Sequence, residues 1–203
     1  MTDCKRIFDL GASMFGLIIF SPVFLIIFLL IKLKMPGGPV LFTQMRIGQH
    51  GTLFKIYKFR TMLINHDGNT VSVKGESRIT HLGAFLRKYK LDELPELWNV
   101  LIGDMSFVGP RPDVPGYADR LVGKEKAILS LRPGITGPAT LKFAKEEELL
   151  ALQNDPVKYN NEVLYPQKVL INLSYAEHQS FILDLKIILF TLFGKKLKEP
   201  WLN

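Results

Sequence analysis

The chain has 203 residues and a single cysteine, Cys4, which is enough for one domain with a core but excludes an internal disulfide or a multi-cysteine zinc site. A formal charge of +7 and a pI near 9.4 favour anionic partners, while 47% hydrophobic residues and a mean hydropathy of +0.14 favour a membrane surface over nucleic acid. The basic residues are scattered without a recognition motif, so no nucleic acid is expected, and His50, His66, His81 and His178 lack metal-ligand spacing.

No charge occurs from Leu10 to Ile31, a run of 22 residues. As a straight helix it would measure roughly 33 Å, about one bilayer core. The run is too long for a cleaved signal peptide and lacks a small-residue cleavage site. Ser21-Pro22 lies near its middle. Pro22 has no N–H and clashes with the carbonyl of Ile18, so a bend is expected there. Ser21 can donate to a carbonyl one turn earlier. Lys5 and Arg6 precede the run, and Lys32 and Lys34 follow it, so both flanks carry residues that prefer the cytoplasmic side. Two forms fit these residues: a kinked spanning helix, and a helix that breaks at Ser21-Pro22 and leaves by the face it entered.

Met35-Pro36-Gly37-Gly38-Pro39 ends the membrane segment. Residues 40–44 and 53–59 read as strands around a turn at 48–52, a hairpin. Alternation sets Phe54, Ile56 and Lys58 on one face and Lys55, Tyr57 and Phe59 on the other. Lys58 and Arg60 are candidates to reach a phosphate, whereas Lys55 reads as a solvated strand charge. Residues 65–75 read as a surface loop. Helical spacing recurs in Leu82, Phe85, Leu86 and Tyr89, then in Leu94, Leu97, Trp98 and Leu101, with Gly103 as a stop. Short helices are expected at 124–131 and 145–153, and a longer one at 157–176, interrupted near Pro166. The last helix carries an apolar stripe of Phe181, Ile182, Leu185, Ile188, Leu189, Leu192 and Phe193, flanked or followed by Lys186, Lys195, Lys196 and Lys198. It fits an interfacial helix or a core-packed one with a basic tail.

The chemistry concentrates at Asp92-Glu93. Pro95 is tolerated in a first helical turn, which starts the second helix near Asp92. A plain cap is one reading, because acidic residues complement a helix N-terminus. Two successive carboxylates exceed what one cap needs. Arg87, Lys88 and Lys90 lie just upstream, a setting that keeps a carboxylate ionised and draws in a phosphate. Arg111 is fixed between Pro110 and Pro112, so it loses little entropy on clamping an anion. A carboxylate can attack phosphorus to give an acyl phosphate, and a divalent cation, usually magnesium, then offsets the phosphate charge.

Lys55-Ile56-Tyr57-Lys58-Phe59-Arg60-Thr61-Met62, Leu91-Asp92-Glu93-Leu94-Pro95, Gly103-Asp104-Met105-Ser106-Phe107-Val108-Gly109-Pro110-Arg111-Pro112 and Arg132-Pro133-Gly134-Ile135-Thr136-Gly137 follow one another in this order. Together they resemble the bacterial sugar transferases, the monotopic phosphoglycosyl transferases, from about Lys5 to Phe193. The resemblance is to the minimal form, without the multi-spanning N-terminal domain of longer relatives. It implies transfer of a sugar-1-phosphate from a UDP-sugar to polyprenyl phosphate, usually undecaprenyl phosphate, with release of UMP. It implies a ping-pong mechanism through a phosphosugar on Asp92, Glu93 as partner carboxylate, Mg2+ at Asp92 and Glu93, and phosphate binding by Arg111; Arg87, Lys58 and Arg60, read from the residues themselves, are the further expected phosphate ligands. It also implies a re-entrant helix broken at Ser21-Pro22, on the cytoplasmic face of the bacterial inner membrane.

The fold class expected is α+β: a mostly helical monotopic membrane protein with a broken re-entrant N-terminal helix, interfacial amphipathic helices and a small β-hairpin. Residues 1–34 form the membrane helix, and residues 35–203 the cytoplasmic catalytic domain with its interfacial helices. One stretch departs from the family pattern: after Gly137 comes Pro138-Ala139-Thr140-Leu141-Lys142-Phe143-Ala144-Lys145, so any donor contacts made by that loop elsewhere do not transfer directly. A non-catalytic, membrane-anchored basic adaptor is the alternative of a different class. The sugar, the glycan pathway and association with a second copy stay open.

Overall fold

The computed structural model describes residues 3–63, 78–195, 197 and 199–202. The expected loop at 65–75, His66, Lys196 and Lys198 lie outside the described residues. The architecture is α+β, helices predominating over two small two-stranded sheets.

Helix α1 (Asp3–Ile19) and helix α2 (Ser21–Lys34) meet at a bend of 58°. Phe20 still donates to Gly16, but Pro22 cannot donate to Ile18, and the Ser21 hydroxyl takes that carbonyl at 2.7 Å. No single helix among the described residues is long and apolar enough to cross a membrane. Lys5 and Arg6 are not the solvated flanking charges that their position suggests. Lys5, Asp9 and Ser13 recur every four residues and bury one stripe of α1 against the body of the protein. Arg6 donates to the carbonyls of Val100 and Leu101, at 2.7 and 2.9 Å, capping the helix that ends there. Opposite this polar stripe, Ile7, Met14, Phe15 and Ile18 are exposed.

Strands β1 (Leu41–Ile47) and β2 (Leu53–Phe59) form the antiparallel hairpin, with Leu41 opposite Phe59 and Ile47 opposite Leu53. The faces of β2 serve different cores. Phe59 packs with Ile27, Ile31, Met35 and Leu86, so α2 is fastened to the hairpin and to α3 (His81–Lys88). Phe54 and Ile56 pack with Val100 and Met105 around α4 (Glu96–Ile102). Lys55 is exposed.

The second sheet was not expected. Strand β3 (Ser106–Val108) pairs in parallel with β4 (Gly134–Thr136), across a connection containing only 3-10 turns. The expected helix at 124–131 is one of these, a 3-10 segment at Gly123–Ser130. The β3–β4 pairing joins the Gly-Pro-Arg-Pro and Pro-Gly-Ile-Thr-Gly motifs. Gly109 donates to Thr136 at 2.9 Å, and a Cβ on Gly109 would stand 2.2 Å from the Arg132 carbonyl, so only glycine fits.

Beyond β4 lie α5 (Pro138–Lys142), α6 (Glu146–Ala151), α7 (Pro156–Tyr159), α8 (Tyr165–His178) and α9 (Phe181–Leu192). A π-turn at Asn160–Leu164 joins α7 to α8, which absorbs the interruption expected near Pro166. On α9, Leu183, Asp184 and Ile187 face the core, while Ile182, Leu189 and Leu192 are exposed. Both readings of this helix thus hold part of the geometry: one face is core, and the other is an uncovered apolar surface.

Candidate active site

Side chains from β2, the turn after α3, α4 and the loop after β3 converge on one cluster. Helix α3 ends at Lys88, and two residues later Lys90, with φ of 56°, turns the chain sharply. A 3-10 turn, Leu91–Glu93, follows, and α4 starts only at Glu96. Asp92 is therefore not the side-chain cap of the second helix. It sits one turn earlier, buried beside the hairpin. Asn99, fully buried, locks α4 to β2: its amide donates to the Lys55 carbonyl at 2.8 Å and its carbonyl accepts from Tyr57 N at 3.1 Å.

That lock brings Lys58 over the carboxylates. Lys58 Nζ donates to Glu93 Oε1 at 2.8 Å and stands 3.0 Å from Glu96 Oε1, close enough for an ion pair but not aligned for a hydrogen bond. Arg111 Nη2 donates to the same Glu93 oxygen at 2.8 Å. Asp92 makes no hydrogen bond or ion pair to any described residue, and its Oδ1 is buried and unpartnered.

These contacts separate the three acids electrostatically. Burial first, then the neighbouring charge of Glu93, push the Asp92 carboxyl up, with Lys58, Lys90 and Arg87 partly offsetting them. Burial also pushes Glu93 up, but Arg111, Lys58 and Lys90 outweigh it and hold this carboxyl well below the usual range. Glu96 is raised: burial dominates, and it has only a share of Lys58. Glu93 is thus a fixed anion, and Asp92 the carboxylate with chemistry to spare.

The other expected phosphate ligands divide. Arg111 is half exposed and belongs to the cluster; the charge of Glu93, against burial, raises its pKa. Arg87 pairs with Glu147 on α6 and contributes to the field at Asp92. Arg60 is not brought to the cluster. It is buried and donates to the Met35 carbonyl at the end of α2, a structural cap in place of the expected phosphate contact.

Several residues escaped the sequence reading. Glu96 is the clearest, and its signal was available: it lies one helical turn after Asp92, in a run already holding two acids. Arg46 donates to the Pro112 carbonyl at 3.1 Å and buttresses the loop that carries Arg111. Asp113 accepts from Tyr165 Oη at 3.3 Å, and burial pushes its carboxyl up to about 6 despite Lys168, Arg46 and Arg111 nearby. Lys168 pairs with Glu146 at 2.6 Å, so α6 braces both α3 and α8 around the site. In the departing stretch after Gly137, Lys145 is exposed and 3.9 Å from Glu148.

No group of three His, Cys, Asp or Glu side chains able to hold a metal ion occurs among the described residues. Asp92, with its unclaimed oxygen, and Glu93 beside it offer hard oxygen donors suited to a cation that takes its remaining ligands from water or phosphate.

Comparison with known proteins identifies the family. The family described as "Bacterial sugar transferase" matches residues 1–196. The sugar transferase EpsL of Bacillus subtilis is 37% identical over 188 residues, which cover 93% of this chain and 85% of EpsL. The UDP-glucose:undecaprenyl-phosphate glucose-1-phosphate transferase of Caulobacter vibrioides is 37% identical over 194 residues, 93% of this chain and 68% of that protein. The undecaprenyl-phosphate galactose phosphotransferase of Salmonella typhimurium is 41% identical over 150 residues, 66% of this chain but only 31% of its own length. On the match across nearly its whole length, the chain belongs to the bacterial sugar transferase family.

Proposed function

We propose that the protein is a phosphoglycosyl transferase that moves a sugar-1-phosphate from a UDP-sugar to polyprenyl phosphate, of which undecaprenyl phosphate is the form named in its relatives. The observation that carries this reading is the buried, unpartnered carboxylate of Asp92 beside a Glu93 already clamped by Lys58 and Arg111. A carboxylate with no internal partner is costly to keep unless a substrate uses it.

In the first step an Asp92 carboxylate oxygen attacks the β-phosphorus of the donor. The bond from that phosphorus to the bridging oxygen breaks, and UMP leaves with the electron pair. The sugar phosphate is then esterified to Asp92 as an acyl phosphate. In the second step an oxygen of polyprenyl phosphate attacks the same phosphorus, the bond to Asp92 breaks, and the polyprenyl-diphosphate sugar departs. Glu93 stays ionised throughout and holds Lys58 and Arg111 where the phosphate arrives.

Of the three carboxylates, Glu93 and Glu96 are in direct contact with cations, Lys58 and Arg111, and Asp92 is in contact with neither. An incoming diphosphate needs further positive charge, and we assign this to Mg2+ held by Asp92 and Glu93. When bound, the ion neutralises phosphate charge and polarises the phosphoryl oxygens.

The same proposal places residues 1–34 in the cytoplasmic leaflet of the bacterial inner membrane as a re-entrant helix pair, and residues 35–203 on its cytoplasmic face. The bend at Ser21, the uncovered apolar faces of α1, α2 and α9, and the fastening of α1 to the body through Lys5 and Arg6 support it. A tag placed before Lys5 is then accessible only from the cytoplasm; periplasmic labelling rejects the re-entrant form.

The catalytic test uses purified full-length protein. UMP is released from a UDP-sugar in the presence of polyprenyl phosphate and magnesium, and chelation abolishes it. With donor alone, mass spectrometry finds a sugar-phosphate adduct on the peptide containing Asp92. Product formation without that adduct overturns the mechanism.

A further inference from the structure

A concavity opens at Tyr165, whose hydroxyl bonds to Asp113 just beyond Arg111. It is a cleft of about 500 Å3 lined by Gly116, Tyr117, Arg120, Leu121, Asn161 and Tyr165, within the roughly 300–1,000 Å3 typical of small-molecule sites. Gly116, with φ of 103°, turns the chain so that Tyr117 meets Tyr165 edge to face, ring centroids 4.9 Å apart. Tyr117 Oη donates to Asn161 Oδ1 at 2.7 Å, and Asn160 Nδ2 donates to the same oxygen at 3.2 Å. Both bonds use the carbonyl of Asn161, leaving its amide N–H groups to be offered. The Arg120 guanidinium has no hydrogen bond or ion pair to any described residue. The cleft therefore combines an aromatic platform with a surplus of donors.

Its position relative to Asp92 follows from Tyr165. One side of this residue lines the cleft, and its hydroxyl donates to Asp113, two residues beyond Arg111. No residue of the Asp92 cluster lines the cleft itself. In a nucleotide-sugar the sugar is bonded to the reacting phosphorus, whereas base and ribose lie one phosphate further away. A separate pocket adjoining the phosphate clamp matches the more distant half. A pyrimidine dione has a flat face for stacking on tyrosine and two carbonyls that accept from Arg or Asn donors.

We propose that this cleft binds the nucleoside half of the donor, base and ribose, while the diphosphate reaches Asp92. The inference rests on the transferase reading, and its test separates the two. UMP binding is measured by calorimetry on the full chain in lipid nanodiscs, and KM for the UDP-sugar by UMP release. The variants are Arg120→Gln and Asn161→Ala, both at exposed positions, with exposed Lys124→Gln as a charge-matched control outside the cleft. Each cleft variant weakens UMP binding and raises KM by about five- to tenfold, as expected for loss of one or two donors, and the control changes neither. Transfer from the preformed adduct to polyprenyl phosphate, which involves no nucleotide, keeps its wild-type rate in the cleft variants. If wild-type protein releases UMP while both variants keep its affinity and KM, the cleft assignment falls and the transferase reading stands. Equal loss in both half-reactions also overturns it. If wild-type protein neither binds nor releases UMP, both fall.

Discussion

Two buried ionic clusters among the described residues are built on opposite logic. Around Asp184 the charges close on themselves: Lys5 takes one oxygen and donates its other bond to the Val108 carbonyl at 2.9 Å, while Tyr175 Oη takes the second oxygen. Gln179 completes the set by donating to Tyr175 Oη at 3.2 Å. The result fastens α1 to α8, α9 and the strand leading to Arg111. Nearby Asp9 has one unpartnered oxygen, but its other accepts from Phe107 N at 3.2 Å, so this carboxylate too is anchored. Around Asp92 the charges do not close. Glu93 consumes both near cations, Glu96 shares one of them, and Asp92 has none. Burial alone does not mark a site; a buried charge left over after the internal pairs are made does.

The sharpest way to break this contrast is to neutralise one acid in each cluster. Asp92→Asn lowers UMP release by more than about a thousandfold, as loss of a nucleophile does. Its unfolding temperature stays level or rises, because an uncompensated buried charge is removed. A variant with near-normal turnover ends the nucleophile assignment.

The same contrast explains what could be read from the sequence. The hairpin, the stop at Gly103 and the bend at Ser21-Pro22 are local: alternation, a glycine at φ of 97° and a missing N–H each act within a few residues. The Asp92-Glu93 pair announced itself by composition. The β3–β4 pairing did not, because three-residue strands carry no period and their register is set by glycines 25 residues apart, Gly109 and Gly134. Arg60 looked like Lys58, two residues earlier and on the same face by alternation, yet it lies just past the last residue of β2, and its guanidinium goes to the end of α2 while Lys58 goes to the carboxylates. Asp113 and Tyr165 are 52 residues apart, and only tertiary packing joins them.

In the closed cluster the expected effect is on stability. Asp184→Asn strands the Lys5 ammonium and costs about 3–5 kcal/mol, read as a lower unfolding temperature, while UMP release per folded molecule falls only a fewfold. Replacing both partners by apolar residues, Lys5→Met with Asp184→Leu, recovers much of that loss, since neither charge is then buried alone. A double variant as unstable as the single one shows that the pair does more than fasten helices.

Between the two clusters in character lies Asp113, hydrogen-bonded by Tyr165 yet pushed up to about 6 by burial. Its folded value lies above its ordinary 3.8, so the native state holds this proton more tightly than the unfolded chain does. The group therefore favours folding most at acid pH, and that contribution is lost as pH rises from about 4 to about 6, then stays flat. Asp113→Asn removes this slope. After allowance for solvent screening the change is about 1 kcal/mol across the window, the smallest effect expected here. Thermal unfolding of both proteins between pH 4.5 and 7.5 reads it directly. Curves that converge at neutral pH instead of diverging there would mean that Lys168, Arg46 and Arg111 hold Asp113 ionised, and that it belongs with the closed cluster after all.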